Sequence, residues 1–284
     1  MTPSPHWAAV RAALQDAADR FADLIDPPAG PGPDSGTRTD GTWTVGETAA
    51  HVAAIAWMDV GLLDPSSPPP PVPGFDTWLA TSNVEGVHAF NETVLAAMPG
   101  RDLAVLAADL RERVKTMDAL ADGRDPAETV GWIGGARLPI CGLFAHMVNE
   151  LLLHGHDVAR ALGRPWTVPP RDASYFFEDF IVGLARNGVG ALLDGGGPPR
   201  EDPVVVEFRS AHTTPVTFVL RRGELSVEKP GRTPDVRLRF DPAAFTMMMF
   251  GRMSKPRALL TGRIRVGGRR PWLLPVFLRT VRVP

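Results

Sequence analysis

Residues 149–163, NELLLHGHDVARALG, bring Glu150, His154, His156 and Asp157 into three helical turns of an otherwise apolar stretch. Carboxylates and imidazoles at that density perform acid–base chemistry or hold a metal ion. Glu150 precedes His154 by one turn and Asp157 follows it by three residues, so the three share one side of a helix. His156 lies about 200° round from His154 and faces elsewhere. His154 falls on the apolar stripe of Ile140, Phe144, Met147, Leu151, Val158 and Leu162. A carboxylate at the edge of such a stripe is costly unless it is paired or coordinated. It needs a partner from another segment.

His51 is a candidate partner. It follows Glu47 by one turn on a segment of small and apolar residues, Ala49, Ala50, Val52, Ala53 and Ile55. Helical bundles build metal sites from inward-facing side chains on separate helices. A Glu/His pair at i, i+4 with one distant His gives three N/O ligands and an open position, the shell of a catalytic zinc. The residues alone leave other arrangements open. His154 can instead be a hydrogen-bonded core histidine, with Glu150 paired to an arginine. His88 or His146, the latter one turn before Glu150, can equally complete a site.

The elements that must position these groups are helices. Residues 5–26 read as an amphipathic helix that stops before Pro27-Pro28, and PPAGPGPDSGTRTDG as a loop. Thr44-Val45-Gly46-Glu47 is a capping box and predicts a helix to about Leu63, ended by DPSSPPPPVPG. Further helices are predicted over 76–98 and 102–121, broken at Pro99-Gly100. Pro139 suits the first turn of the helix carrying Glu150 and His154, and Gly163 with Pro165 suits its end. A helix over 171–193 runs into DGGGPP, a linker. Beyond it VVVEFRS, VTFVLRR, ELSVEK and DVRLRF have the length and β-branched content of strands. DPAAFTMMMFGR follows as a short helix capped by Asp241, then TGRIRVGG as a strand and RRPWLLPVFLRTV as a last helix. The predicted fold is α+β: a helical bundle over 1–193 and a small α+β domain over 200–284.

GTWTVGETAAH, followed by NELLLHGHDVARALGRPW, resembles the DinB-like, mycothiol-dependent maleylpyruvate isomerase family, through about residue 166. FTMMMFGRMSKPRALLTGRIRVGGRRPW is similar to the sterol-carrier-like domain that often follows such a bundle. The resemblance implies a four-helix-type DinB-like bundle. In that family a Trp-Thr/Ser motif opens the helix bearing the first metal-binding histidine. An E-x-x-x-H-x-x-D-x-A-x-A-x-G helix supplies the other two ligands. Carried over, the ligands are His51, Glu150 and His154. The implied cofactors are zinc, or another divalent metal, and mycothiol. A free thiol has a pKa near ~8.5, and coordination to zinc deprotonates it. A mycothiol thiolate adds to the cis double bond of maleylpyruvate, the new single bond rotates, and elimination gives fumarylpyruvate. Attack on another electrophile without elimination is S-transfer. The implied protein is a metal-dependent isomerase or S-transferase whose partners are mycothiol and a small, anionic electrophile.

Charge is split unevenly along the chain. Residues 200–284 carry 17 Lys/Arg against 7 Asp/Glu, a net of +10, whereas the remainder has a net of −12. The two ligand segments hold no Lys or Arg between Thr44 and Leu63 or between Leu138 and Ala159. A cation for an anionic substrate is therefore expected from the second domain, where the resemblance also implies a functional arginine. Guanidinium suits the role because its fork binds a carboxylate through two parallel hydrogen bonds. The candidates are Arg252, Arg263 and Arg265. Asp157 is expected to orient a ligand or the cofactor, or else to pair with Arg160 at i, i+3. Asn91, Trp43, Trp57 and Trp78 are candidates to line the cavity, with core packing as the alternative. Cys141, three turns from His154, is not expected to act as a nucleophile, and Met247–Met249 read as helix packing.

Composition narrows the class. With 44% hydrophobic and 22% charged residues, the 284-residue chain has an ordinary globular balance. A single cysteine excludes a disulfide framework. The 27 Arg against 3 Lys are the imprint of a GC-rich genome, as in actinobacteria. The segment MTPSPHWAAV has no signal-peptide pattern, and no apolar run approaches the ~20 residues of a membrane span, so a soluble cytoplasmic protein is expected. The nine basic residues after Asp241 are not interleaved with aromatics, which argues against nucleic-acid binding. Two competing functions stay open: a non-catalytic carrier of apolar ligands, and a thiol-independent metal hydrolase.

Overall fold

Ser4 accepts from the backbone N–H of Trp7 and Pro5 takes the first helical position, opening α1 (Pro5–Ile25) in the computed structural model of the protein. The structure describes residues 4–39, 41–194, 201–229, 231 and 233–282. The capping box forms as the sequence predicts. Thr44 accepts from the N–H of Glu47, whose carboxylate accepts from the N–H of Thr44, and α2 (Val45–Leu63) begins there.

The single helix expected over 76–98 is two, α3 (Phe75–Thr81) and α4 (Val87–Ala97). The Asn83 side chain accepts from the N–H groups of Glu85 and Gly86, and this local bonding competes with helix continuation. Asp102 caps α5 (Leu103–Leu120). A short hairpin that periodicity did not reveal, β1 (Thr129–Gly131) and β2 (Arg137–Pro139), turns through Gly134 and Gly135 at φ 70° and 71°. It leads directly into α6 (Ile140–Ala161), so Pro139 is the N-cap residue rather than part of the first turn.

α1 and α2 each pack against both α5 and α6, which closes the bundle. Leu14, Phe21, Leu110, Met117 and Phe144 are fully buried in its core. Each such side chain stabilises the fold by roughly 1.5–3 kcal/mol relative to exposure.

The helix expected over 171–193 stops at Gly188 (φ 111°) and is not uniform. It comprises α7 (Pro170–Tyr175), a π-helical turn over Phe176–Ile181, and α8 (Val182–Asn187). The wider turn distributes neighbouring side chains between two cores. Phe176 and Phe180 join the bundle core, whereas Phe177 and Val182 join that of the sheet.

The predicted linker begins at Asp194 and otherwise lies outside the described residues. The sheet that follows contains β3 (Val204–Arg209), β4 (Val216–Arg221), β5 (Glu224–Glu228) and β6 (Val236–Phe240). After α9 (Pro242–Met249) comes α10 (Lys255–Leu260), a short helix absent from the expected pattern, opened by Ser254. β7 (Ile264–Gly267) and α11 (Leu274–Thr280) complete the domain. Strand order is β5-β4-β3-β6-β7, with only the β3/β6 pair parallel. Val204, Val206 and Phe208 enter the apolar core while Glu207 and Arg209 take the opposite face. The architecture is α+β, an N-terminal helical domain followed by a C-terminal sheet domain. No helix among the described residues is long and apolar enough to cross a membrane.

Candidate metal centre and its cavity

α2 and α6 pack against each other, and their polar side chains meet at the seam. One local feature fixes α6 at the site. A Cβ at Gly155 would lie 2.1 Å from Cζ2 of Trp166, so only glycine lets the indole lie against the helix beside His154. Trp166 Nε1–H donates to the Leu152 carbonyl at 3.0 Å and holds that packing.

His51, Glu150 and His154 converge. His51 Nε2 lies 3.6 Å from Glu150 Oε2, and His154 Nε2 lies 3.3 Å from the same oxygen. One donor atom from each residue falls within 4.8 Å of the others. A tetrahedral ion with bonds of ~2.0–2.2 Å places its ligand atoms roughly 3.3–3.6 Å apart. The two nitrogen–oxygen separations match that spacing, so the residues present fit a divalent metal. His146, the alternative from sequence, approaches the other oxygen, Oε1, at 3.5 Å. Its ring is wedged between Trp132 and Phe180, with centroids 4.9 and 5.0 Å away.

The electrostatics suit a cation. Burial opposes charge on Glu150, yet His154 and His51 beside it hold its carboxyl well below the usual range. Burial pushes His51 and His146 down, which favours the neutral imidazole that ligates metals. Burial also opposes charge on His154, but Asp157 and Glu150 outweigh it and raise this histidine. Asp157 Oδ2 lies 3.6 Å from His154 Nδ1. A carboxylate at Nδ1 favours the tautomer that leaves Nε2 free to face Glu150.

Asp157 is itself held from the second domain. Arg252 Nε and Nη2 donate to its two carboxylate oxygens at 3.1 and 2.5 Å, and Arg252 Nη1 donates to the Phe250 carbonyl at 2.7 Å. Although burial opposes its charge, His154, His156 and Arg252 drive the Asp157 carboxyl far below the ordinary range. His156 Nδ1 approaches Asp157 at 3.5 Å but does not join the trio.

The structure brings one of the three candidate arginines to the site. Arg252 lines the cavity, whereas Arg263 and Arg265 line a separate small depression with Arg209 and Arg239. Strand alternation explains the difference for Arg265: Ile264 and Val266 on β7 face the cavity, so the residue between them points away, and Arg263 just before the strand lies on that same side. Asn91, Trp43 and Trp78 line the cavity. Trp43 packs 4.7 Å from the His51 ring and donates Nε1–H to Glu92 Oε1 at 2.7 Å. Trp57 does not line it, and lies instead under the Arg113 guanidinium. Met247 is buried as expected of a packing residue, but Met248 and Met249 reach the cavity. Burial, then the nearby Asp179, pushes the Cys141 thiol up to about 12, so it is protonated at neutral pH.

Sequence reasoning missed Asp59 on α2. It is fully buried, and neither of its carboxylate oxygens has a hydrogen-bond partner among the described residues. Burial, then the charge of Glu150, pushes it well above the usual range, which favours its neutral form. A lone acid in AWMDVGLL was the available signal.

The cavity measures about 1050 Å³ and extends from the His/Glu cluster into the second domain, where Phe208, Phe218 and Phe277 border it.

Against known proteins, residues 14–159 match the family described as the mycothiol maleylpyruvate isomerase N-terminal domain, and residues 203–269 match the SCP-2 sterol transfer family. Among solved structures the chain is similar to a mycothiol-dependent maleylpyruvate isomerase mutant with one histidine replaced by alanine. The TM-score is 0.51 and identity 14%, with 93% of each chain covered. The crystal structure of the mycothiol-dependent maleylpyruvate isomerase also matches, with a TM-score of 0.48 at 14% identity over 93% of each chain. At such identity the likeness is one of fold. No curated protein matches the chain.

Proposed function

We infer the function from one premise: this chain belongs to the mycothiol maleylpyruvate isomerase N-terminal domain family. Our reading is a metal-dependent enzyme that uses mycothiol against a small anionic electrophile. The reaction is isomerisation of a maleylpyruvate-like cis-enoyl acid, or S-transfer. The observation that carries it is the convergence of His51, Glu150 and His154 at metal-ligand spacing on the wall of a large cavity.

In this reading His51 Nε2, Glu150 Oε2 and His154 Nε2 hold the ion, most suitably zinc with its preference for N/O ligands. A metal held by these residues would supply Lewis acidity, the chemistry that favours the thiolate form of a thiol at neutral pH. Asp157, 3.6 Å from His154 Nδ1, keeps the Nε2 lone pair directed at the site by favouring the Nδ1–H tautomer electrostatically. Arg252, locked by Asp157 and the Phe250 carbonyl, is the positive group for a substrate carboxylate or a developing enolate. Trp43 walls the His51 side, with Asn91 a polar contact for the thiol cofactor.

Metal analysis of purified protein tests the reading. Wild type and His156→Ala should each carry about one divalent ion per chain, and His154→Ala should carry none. Maleylpyruvate should be consumed by the metal-loaded protein only when mycothiol is present. Equal metal in wild type and His154→Ala would falsify the ligand assignment. Turnover without thiol would point to hydrolysis, and lipid on metal-free protein to a carrier.

A further inference from the structure

The polar groups of the bundle occupy one part of the cavity wall, and the wall contributed by the second domain is of a different kind. There Met248, Met249, Leu259, Val266, Leu274 and Leu278 line the cavity, and none of the six is buried. Apolar side chains facing an open cavity leave area to water at a cost proportional to that area. A ligand that covers them recovers it. The volume, about 1050 Å³, would hold roughly 35 waters at ~30 Å³ each. A small dicarboxylate and a polar thiol cofactor beside the His/Glu cluster offer nothing apolar to cover the second-domain wall.

The rim repeats the signal. Five of the six exposed large apolar side chains among the described residues lie within residues 259–278: Leu259, Leu260, Val266, Trp272 and Leu278. Clustered exposed apolar residues mark a binding surface more often than scattered ones do. Three of the five, Leu259, Val266 and Leu278, also line the cavity, alongside Lys255, Arg279 and Arg282.

We propose that the electrophile is amphipathic: its polar reacting end lies at His51, Glu150, His154 and Arg252, and an aliphatic tail occupies the second-domain part of the same cavity. This rests on the metal-dependent reading of the site and adds the substrate class to it. The second domain is then a specificity element, since one cavity joins the two.

Two titrations on the full-length protein test this separately from the metal reading. Cobalt-substituted protein is titrated with straight-chain hydroxamic acids from aceto- to decanohydroxamate, read by the cobalt d–d absorption. Affinity should rise roughly three- to fourfold per methylene until the tail pocket is full. Leu278→Asp, at an exposed position, should lower affinity for decanohydroxamate and leave acetohydroxamate unchanged. In parallel, dansylaminoundecanoic acid is titrated by fluorescence, with His154→Ala beside wild type, and both should bind it. Equal cobalt affinities for the short and long hydroxamates overturn the proposal while leaving the metal reading intact. Fluorescent fatty-acid binding by wild-type protein that takes up no cobalt overturns the metal reading and the substrate assignment with it, leaving a carrier.

Discussion

At the residue scale, the Asp157–Arg252 pair is the contact on which the proposed site turns, because it ties Asp157, the neighbour of the candidate ligand His154, to the second domain. An Arg252→Ala variant should keep its metal and lose roughly 10²–10³ in thiol-dependent turnover, the usual loss for one transition-state charge contact. Arg252→Lys should restore little, since a point charge cannot reproduce the fork that spans both Asp157 oxygens. Asp157→Asn should weaken metal affinity by about 10–100-fold by loosening the His154 tautomer. Unchanged turnover in Arg252→Ala would remove the clamp from the reading. A second residue reports on stability. Burial raises the Asp179 carboxyl to about 6, against a usual 3.8, even with His6 Nε2 at 2.9 Å. Because the folded form binds this proton more tightly than the unfolded chain, the group's contribution is full below the usual pKa. It is lost as pH rises through about 6. Urea unfolding of wild type and Asp179→Asn between about pH 4 and 7 should show a shallower loss of stability with rising pH in the variant. Parallel profiles would refute it.

At the element scale, the sheet carries a visible electrostatic cost. Arg209 pairs in register with Arg239, and Arg239 with Arg265, so three arginines form one rung across β3, β6 and β7. Glu207 accepts from Arg209 and Arg237, but Arg239 has no acidic partner among the described residues. Like charges opposite one another destabilise a sheet, and Arg239→Thr should raise stability by roughly 0.2–1 kcal/mol at low salt. The gain should shrink as salt screens the exposed charges. A loss of stability in the variant would mean that the arginine stems shield the sheet more than their charges strain it. The same scale explains the ligand helix. Gly155 is needed where Trp166 approaches, so the HGH stretch combines a candidate ligand with a packing requirement.

At the scale of the whole molecule, the two domains share a helix as well as a cavity. The π-helical turn sends Phe176 into one core and Phe177 into the other. Thermal unfolding should therefore follow a single cooperative transition, and Phe177→Ala should lower it by about 3–5 kcal/mol without splitting it. Two resolved transitions in wild type would show that the shared helix does not couple the domains. Net charges of +10 and −12 on the two parts favour their docking, and Arg252–Asp157 is one point where that attraction becomes a specific contact.

Local chemistry determined much of this protein in advance. The capping box at Thr44 set where α2 begins, and with it which face His51 presents; one turn of spacing set Glu150 beside His154. Alternation of β-branched residues marked the strands, and both halves of the chain carried enough motif to place them in a family. The elements that escaped were those whose signal is not periodic. Asn83 broke a helix by bonding to its own backbone, and the hairpin before α6 rested on two positive-φ glycines. The π turn arose where one helix had to serve two cores. Only tertiary structure decided that His51 completes the closely spaced trio with Glu150 and His154 while His146 approaches the other Glu150 oxygen, and that Arg252 rather than Arg263 or Arg265 reaches Asp157. Those choices depend on where α2, α4, α9 and β7 are packed relative to α6. Packing sums long-range contacts that spacing along the chain does not encode.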